Sequence, residues 1–278
     1  MKRLITGYTA FIVLLLLAGC TAVPDAVPGA GGGEGSPAEG LSISFQQLGS
    51  YAEETGTATL QLRVENQGQG AARNINADLF GPGFVSGTAS IDQLQGVDRA
   101  AGQSGETAIR EWTLSSLPDL DPGRRRTYSA HVRVRYDYTT TATLPVTLSQ
   151  ESYAPENTSV RVSNIAAPVQ FRSRVSSPIA TGASTTHSVP VSIENRGSGE
   201  LASPVSVTAT LTDAPGGVSI DCGGNPVTVS LTDEAVLTCQ LQTPGGGVPF
   251  ETQLSIRLAA TYTYQQEAET TLTVRGVQ

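Results

Sequence analysis

Val64-Glu65-Asn66-Gln67-Gly68-Gln69-Gly70 closes one run of alternating apolar residues and opens another. Leu60, Leu62 and Val64 alternate with Thr59, Gln61 and Arg63 before it, and Ile75, Ala77 and Leu79 follow it. A period of two on both sides of Asn-x-Gly-x-Gly reads as strand, tight turn and strand. Glycine suits such a turn because it reaches positive φ at little cost. The pattern returns at Ile193-Glu194-Asn195-Arg196-Gly197-Ser198-Gly199, with Val189 and Val191 before it and Val205, Val207, Ala209 and Leu211 after it.

Asn66 and Asn195 lie 129 positions apart, and three further matches keep nearly that offset. Phe45 matches Phe171 at 126, Trp112-Thr113-Leu114 matches Cys239-Gln240-Leu241 at 127, and Tyr136-Asp137-Tyr138 matches Tyr262-Thr263-Tyr264 at 126. Matches in one order with so little drift indicate duplication of a whole unit. The period is too long for a solenoid and fits a sandwich of about 100 residues plus a connection. The chain of 278 residues has room for two such units.

Further runs repeat the alternation. Val132, Val134, Tyr136 and Tyr138 share one face and His131, Arg133, Arg135 and Asp137 the other. Ala142, Leu144, Val146 and Leu148 continue with the same parity. Leu254, Ile256 and Leu258 alternate with Arg257 outward, and Leu272 and Val274 close the second unit. Turn chemistry separates the runs at Gly81-Pro82-Gly83 and Asp121-Pro122-Gly123. No stretch holds a helical period long enough to specify a helix.

Residues 1–20, MKRLITGYTAFIVLLLLAGC, carry a short basic start and an apolar run from Phe11 to Leu17 that is too short to span a bilayer. Leu17-Ala18-Gly19-Cys20 resembles the lipobox of secreted lipoproteins. The resemblance implies cleavage before Cys20 and a diacylglyceryl thioether on its sulfur, and hence a membrane partner. A non-lipidated signal peptide ending at a chance cysteine is the alternative. Two acyl chains anchor stably, since each buried CH₂ contributes about 0.8 kcal/mol. Residues 21–40 are rich in Gly, Pro and Ala without apolar periodicity. They read as a flexible tether with an r.m.s. reach of about 25 Å and an extended limit of roughly 70 Å.

Removing residues 1–19 takes Lys2 and Arg3 from the 17 basic residues, leaving 15 against 25 acidic ones, a net charge of −10. That balance argues against nucleic-acid binding, which needs a positive surface. Charged residues are 15% and aromatics 5%, a β-rich extracytoplasmic composition. Beyond Cys20, the remaining cysteines are Cys222 and Cys239. A pair in an exported unit reads as a disulfide worth about 3 kcal/mol in the chain-entropy model, with two separate buried thiols as the alternative. No residue at ligand spacing supports a metal site.

Catalytic chemistry has little to draw on. His131 and His187 fall at non-equivalent places in the repeats, and no Gly-x-Ser-x-Gly elbow is present. Asp119 and Asp121 form only a D-x-D before a turn, which ordinary turn capping explains better than calcium does. Arg124, Arg125 and Arg126 are the sharpest cationic feature, at the start of a strand after a turn. They are a candidate contact for an anionic partner or a solvated turn balancing Asp119 and Asp121. Asn157-Thr158-Ser159 is the one N-x-S/T sequon, with Asn157 the acceptor where the host glycosylates.

The strand, Asn-x-Gly-x-Gly, strand pattern resembles the cell-adhesion-related (CARDB-like) immunoglobulin-like modules of bacterial and archaeal surface proteins. Leu41-Ser42-Ile43-Ser44-Phe45 and the Tyr-x-Tyr strands are also similar to two-domain archaeal lipoproteins. The resemblance implies a surface location and a non-catalytic role, and carries over no functional residue. The expected fold is all-β: two tandem immunoglobulin-like antiparallel β-sandwiches after a signal peptide (1–19) and a lipidated tether (20–40). They span residues 41–150 and 167–278, joined by 151–166. The expected function is a lipid-anchored surface protein, without enzyme activity or cofactor, acting as an interaction module with envelope or surface proteins. The alternatives are an accessory or substrate-binding subunit of a transport or secretion complex, and self-assembly at a strand edge.

Overall fold

The computed structural model describes residues 40–150, 158–182, 185–248 and 251–277. Cys20, the tether before Gly40 and Asn157 lie outside them. The first repeat forms β1 (Leu41–Leu48), β2 (Ala52–Glu53), β3 (Ala58–Asn66), β4 (Ala72–Phe80), β5 (Ser86–Leu94), β6 (Thr107–Leu114) and β7 (Arg125–Ser149). Two short strands follow, β8 (Thr158–Ser159) and β9 (Ser163–Asn164). The second repeat begins with β10 (Val169–Ser173), β11 (Ser176–Ser177), β12 (Ile179–Ala180), β13 (Thr186–Asn195) and β14 (Glu200–Leu201). It ends with β15 (Val205–Thr212), β16 (Ser219–Asp221), β17 (Val227–Val229), β18 (Glu234–Gln242) and β19 (Thr252–Arg275). No helix occurs among the described residues, and the all-β sandwich expected from the alternation is what forms.

One sheet unites the two repeats. Its order is β17-β15-β19-β7-β4-β5, and the smaller sheets β1-β3-β6 and β10-β13-β18-β16 complete the two halves. The apolar runs on either side of Thr139-Thr140-Thr141 form a single strand, β7, of 25 residues. Nothing between them breaks the parity, so the strand continues for roughly 80 Å at about 3.3 Å per residue. Pro145 falls between the short pairings of β9 at Ala142–Thr143 and β12 at Leu148–Ser149, in a stretch of β7 that, among the described residues, pairs only with β19. A proline is tolerated where one side of a strand lacks a partner.

β7 and β19 pair antiparallel from Arg125↔Arg275 to Leu148↔Thr252. Asp137 meets Thr263, its own counterpart at offset 126, so an approximate twofold axis passes between them. On one side of the axis β7 borders β4 of its own repeat. On the other it runs beside the part of β19 that pairs with β15. Reciprocally, the end of β19 enters the first half, where Val274 pairs with Ala52. The sequence boundary between the repeats is therefore crossed twice, and the described residues form one compact unit.

The even-numbered side chains of both long strands face inward. Leu144 and Leu148 from β7, and Leu272 and Val274 from β19, are fully buried in the half they enter. Fully burying such a side chain contributes about 1.5–3 kcal/mol. At the axis the Tyr-x-Tyr motifs meet as four buried rings, with Tyr136 5.8 Å from Tyr264 and Tyr138 6.2 Å from Tyr262.

Each hydroxyl in this cluster braces a chain entry or a turn. Leu41 N–H donates to Tyr136 and Val169 N–H to Tyr262, at 3.3 and 3.2 Å. Gly70 N–H donates to Tyr138 at 3.0 Å and Gly199 N–H to Tyr264 at 2.9 Å. Asn66 and Asn195 close their turns identically, donating to the carbonyls of Gly70 and Gly199 and accepting from Gly68 N–H and Gly197 N–H.

These contacts correct the sequence-level account of the glycines. Gly70, Gly197 and Gly199 do not have positive φ. A Cβ on Gly70 or Gly199 would instead meet the Tyr138 or Tyr264 ring at 3.0 or 2.8 Å. Close approach to tyrosine, and to the carbonyl oxygens of Thr139 at Gly70 and Gln265 at Gly199, is what requires them.

The register also corrects one repeat match. Leu41 pairs with Asn66 and Val169 with Asn195, so Phe171 is the counterpart of Ile43 rather than of Phe45. Trp112 and Cys239 remain equivalent, opposite Leu60 and Val189.

Candidate functional site

Arg124 precedes β7, and Arg125 and Arg126 open it, at the end of the first half. Gly123, with φ +75°, and the 3.0 Å bond from Arg124 N–H to Asp121 C=O form the turn before them. Arg124 pairs with Asp121 at 3.2 Å, both about three-quarters exposed, so the pair contributes little to stability. Arg125 lies 5.5 Å from the Tyr51 ring, and Arg275, its partner across the ladder, lies 5.6 Å from the same ring. Arg126 sits over Tyr128 at 5.3 Å. The sequence-selected arginines are thus gathered with a fourth, but local aromatic and acidic groups already engage them. Asp119 is exposed on the loop before this turn.

The histidines occupy different surroundings. His131 stacks on Phe80 at 5.3 Å, and Arg133 lies over that ring while pairing with Glu267 at 2.6 Å. His187 borders a cavity of about 430 Å³ with Arg174, Ser176 and Ser188. Its Nε2 is buried without a hydrogen-bond partner among the described residues. No group of three or more metal-ligating side chains occurs among the described residues.

Cys222 and Cys239 form a disulfide across 17 positions. It joins the residue after β16 to the middle of β18, the strand that β16 pairs with. Structural disulfides belong to oxidising compartments, which places the protein outside the cytoplasm.

A second cavity, of about 510 Å³, opens on the outer face of the large sheet in the second half. Its floor is Thr141 and Thr143 of β7, Arg257 of β19 and Thr212 of β15. One wall is Gln69, from the Asn-x-Gly-x-Gly turn, and another is Ser163–Ile165. Gln69 Oε1 accepts from Ala166 N–H at 2.8 Å, and the Asn164 side chain bonds both backbone groups of Phe171 at 2.8 Å, which fixes both walls. Sequence reading recognised Arg257 only as an outward residue. The outward threonines of Thr139-Thr140-Thr141-Ala142-Thr143 were a usable signal, but strand order was needed to bring them to Arg257.

Ionisation is perturbed in the core rather than in these cavities. Burial raises the pKa of Tyr136, Tyr262 and Tyr264 above tyrosine's ordinary value. Hydrogen bonds to Leu41, to Thr140 and Val169, and to Gly199 and Asn195 oppose the respective shifts. These groups brace the fold and do not face either cavity.

Comparison of the sequence with protein-family models and with curated proteins finds no match.

Proposed function

We propose that the protein is anchored to the outer face of a membrane by lipidated Cys20 and acts without catalysis, as an interaction module in adhesion or envelope scaffolding. The observation that carries this reading is the Cys222–Cys239 disulfide, set in a chain that begins with a signal-like segment ending in Leu17-Ala18-Gly19-Cys20. The attachment point supports it. Leu41 N–H is held by Tyr136 next to the twofold axis, so the tether joins the folded unit at its waist.

Fractionation of cells carrying the wild type or Cys20→Ala tests the anchor. The wild type is expected in membranes, released by detergent and not by high salt, and the variant in the soluble extracytoplasmic fraction. Equal distribution of the two would refute the anchor. Cross-linking in intact cells followed by identification of neighbours tests the role. Envelope proteins are the expected partners, and a permease or secretion ATPase would replace the proposal with an accessory-subunit function.

A further inference from the structure

We propose that the trough around Arg257 binds the carboxylate of an acidic sugar, such as a uronate residue of a glycan. This rests on the surface-interaction reading and names a ligand class for it. Arg257 is exposed, and among the described residues it has neither an acidic nor a hydrogen-bond partner. Its ladder neighbours are Thr210 on one side and Thr143 on the other. No Asp or Glu lines the cavity, in a chain with 25 acidic residues against 17 basic ones. A lone guanidinium in that setting offers a planar fork matched to a single carboxylate.

The approximate twofold axis supplies an internal control. The counterparts of Thr141, Thr143 and Arg257 in the first half are Glu267, Glu269 and His131. There His131 is stacked on Phe80, and Glu267 is paired with Arg133. The duplicated position is satisfied internally in one half and left open in the other.

The rest of the lining specifies the body of the ligand. Thr141, Thr143 and Ser163 present hydroxyls, which donate and accept, around the one cation. A hydroxyl-rich ring bearing one negative charge meets that arrangement, while a dianion would leave a charge unpaired. The volume of about 510 Å³ falls within the range of small-ligand sites. No aromatic ring lines the floor for stacking, so affinity depends on the ion pair and hydrogen bonds alone, and a Kd of roughly 1 mM is expected for a single unit.

The test is titration of the full-length protein in detergent with methyl galactopyranosiduronate, which carries one carboxylate, and with its methyl ester, followed by NMR or calorimetry. The expected result is millimolar binding of the acid and at least tenfold weaker binding of the ester. Arg257→Gln should abolish binding of the acid, Thr143→Val should weaken it severalfold, and His131→Gln should leave it unchanged. Unchanged thermal melting of Arg257→Gln would show that the loss is local. Equal binding of acid and ester, full binding by Arg257→Gln, or no binding of the acid at 50-fold the expected Kd would each overturn the proposal. A negative titration alongside Cys20-dependent membrane retention would refute this ligand while leaving the anchored module intact.

Discussion

Leu60 of the first half faces Trp112, and Val189 of the second faces Cys239. The two positions are equivalent, yet they are stabilised by different chemistry. Trp112 packs edge-on to Phe45 with ring centroids 6.3 Å apart and lies directly against Gly87, where a Cβ would meet the indole at 2.5 Å. Cys239 instead bonds to Cys222, and β16 adds a strand along β18. In the first half β5 stays paired with β4, and β6 remains an edge. One half fills the position with a large ring and the other with a covalent tie and an extra edge strand. The tyrosine braces at the axis are nearly unchanged between them. The duplicated scaffold tolerates different local solutions away from the axis while retaining the one its halves share.

Removing each device separately tests whether the two halves depend on different chemistry. Trp112→Ala is expected to cost about 3–5 kcal/mol through the cavity it leaves. The Cys222→Ser/Cys239→Ser double variant is expected to cost about 3 kcal/mol through the loop it frees. Urea unfolding monitored by circular dichroism reads both. A negligible cost for either would show that the position is not a stabilising centre in that half. A smaller effect sharpens the likeness at the turns. Gly70→Ala and Gly199→Ala should each destabilise by about 1–3 kcal/mol through overpacking against tyrosine. Gly199→Ala should cost more, because its Cβ would press on the Gln265 carbonyl oxygen, the Gln266 side chain and the Tyr264 ring, all closer than the nearest atom to Gly70, the Thr139 carbonyl oxygen at 2.9 Å. A neutral result at both would return the turn glycines to a purely local role.

The smallest effect at neutral pH belongs to the tyrosines. Desolvation holds Tyr136, Tyr262 and Tyr264 neutral in the fold, with pKa values raised above the unfolded value. The stabilisation is therefore fully present below about pH 10 and is lost as pH rises from there through the folded values. Phenolate absorbance at these residues should rise together with loss of the β signal. Ionisation near pH 10 with the fold intact would contradict the buried cluster.

The functional surface was less legible than the fold. Arg124, Arg125 and Arg126 were visible as a run, but the Tyr51 ring that Arg125 shares with Arg275 comes from a distant part of the chain. The Arg257 trough takes residues from β7, β15, β19, β9 and a turn, and a linear text does not say which strands are neighbours. His131 and Arg257 looked unrelated in sequence, and only the paired register made them counterparts.

By itself the sequence determined the strands, their inward faces, the duplication and the cysteine pair. Alternation and spacing are local properties, and each inward face must be covered. The tertiary structure alone decided that β7 and β19 each finish in the other half, that the turn glycines answer to tyrosine rings and facing carbonyls, and that Arg257 stands among hydroxyls without a partner among the described residues. Parity fixes which way a side chain points, whereas the identity of the neighbour it meets depends on pairings between segments more than 100 residues apart.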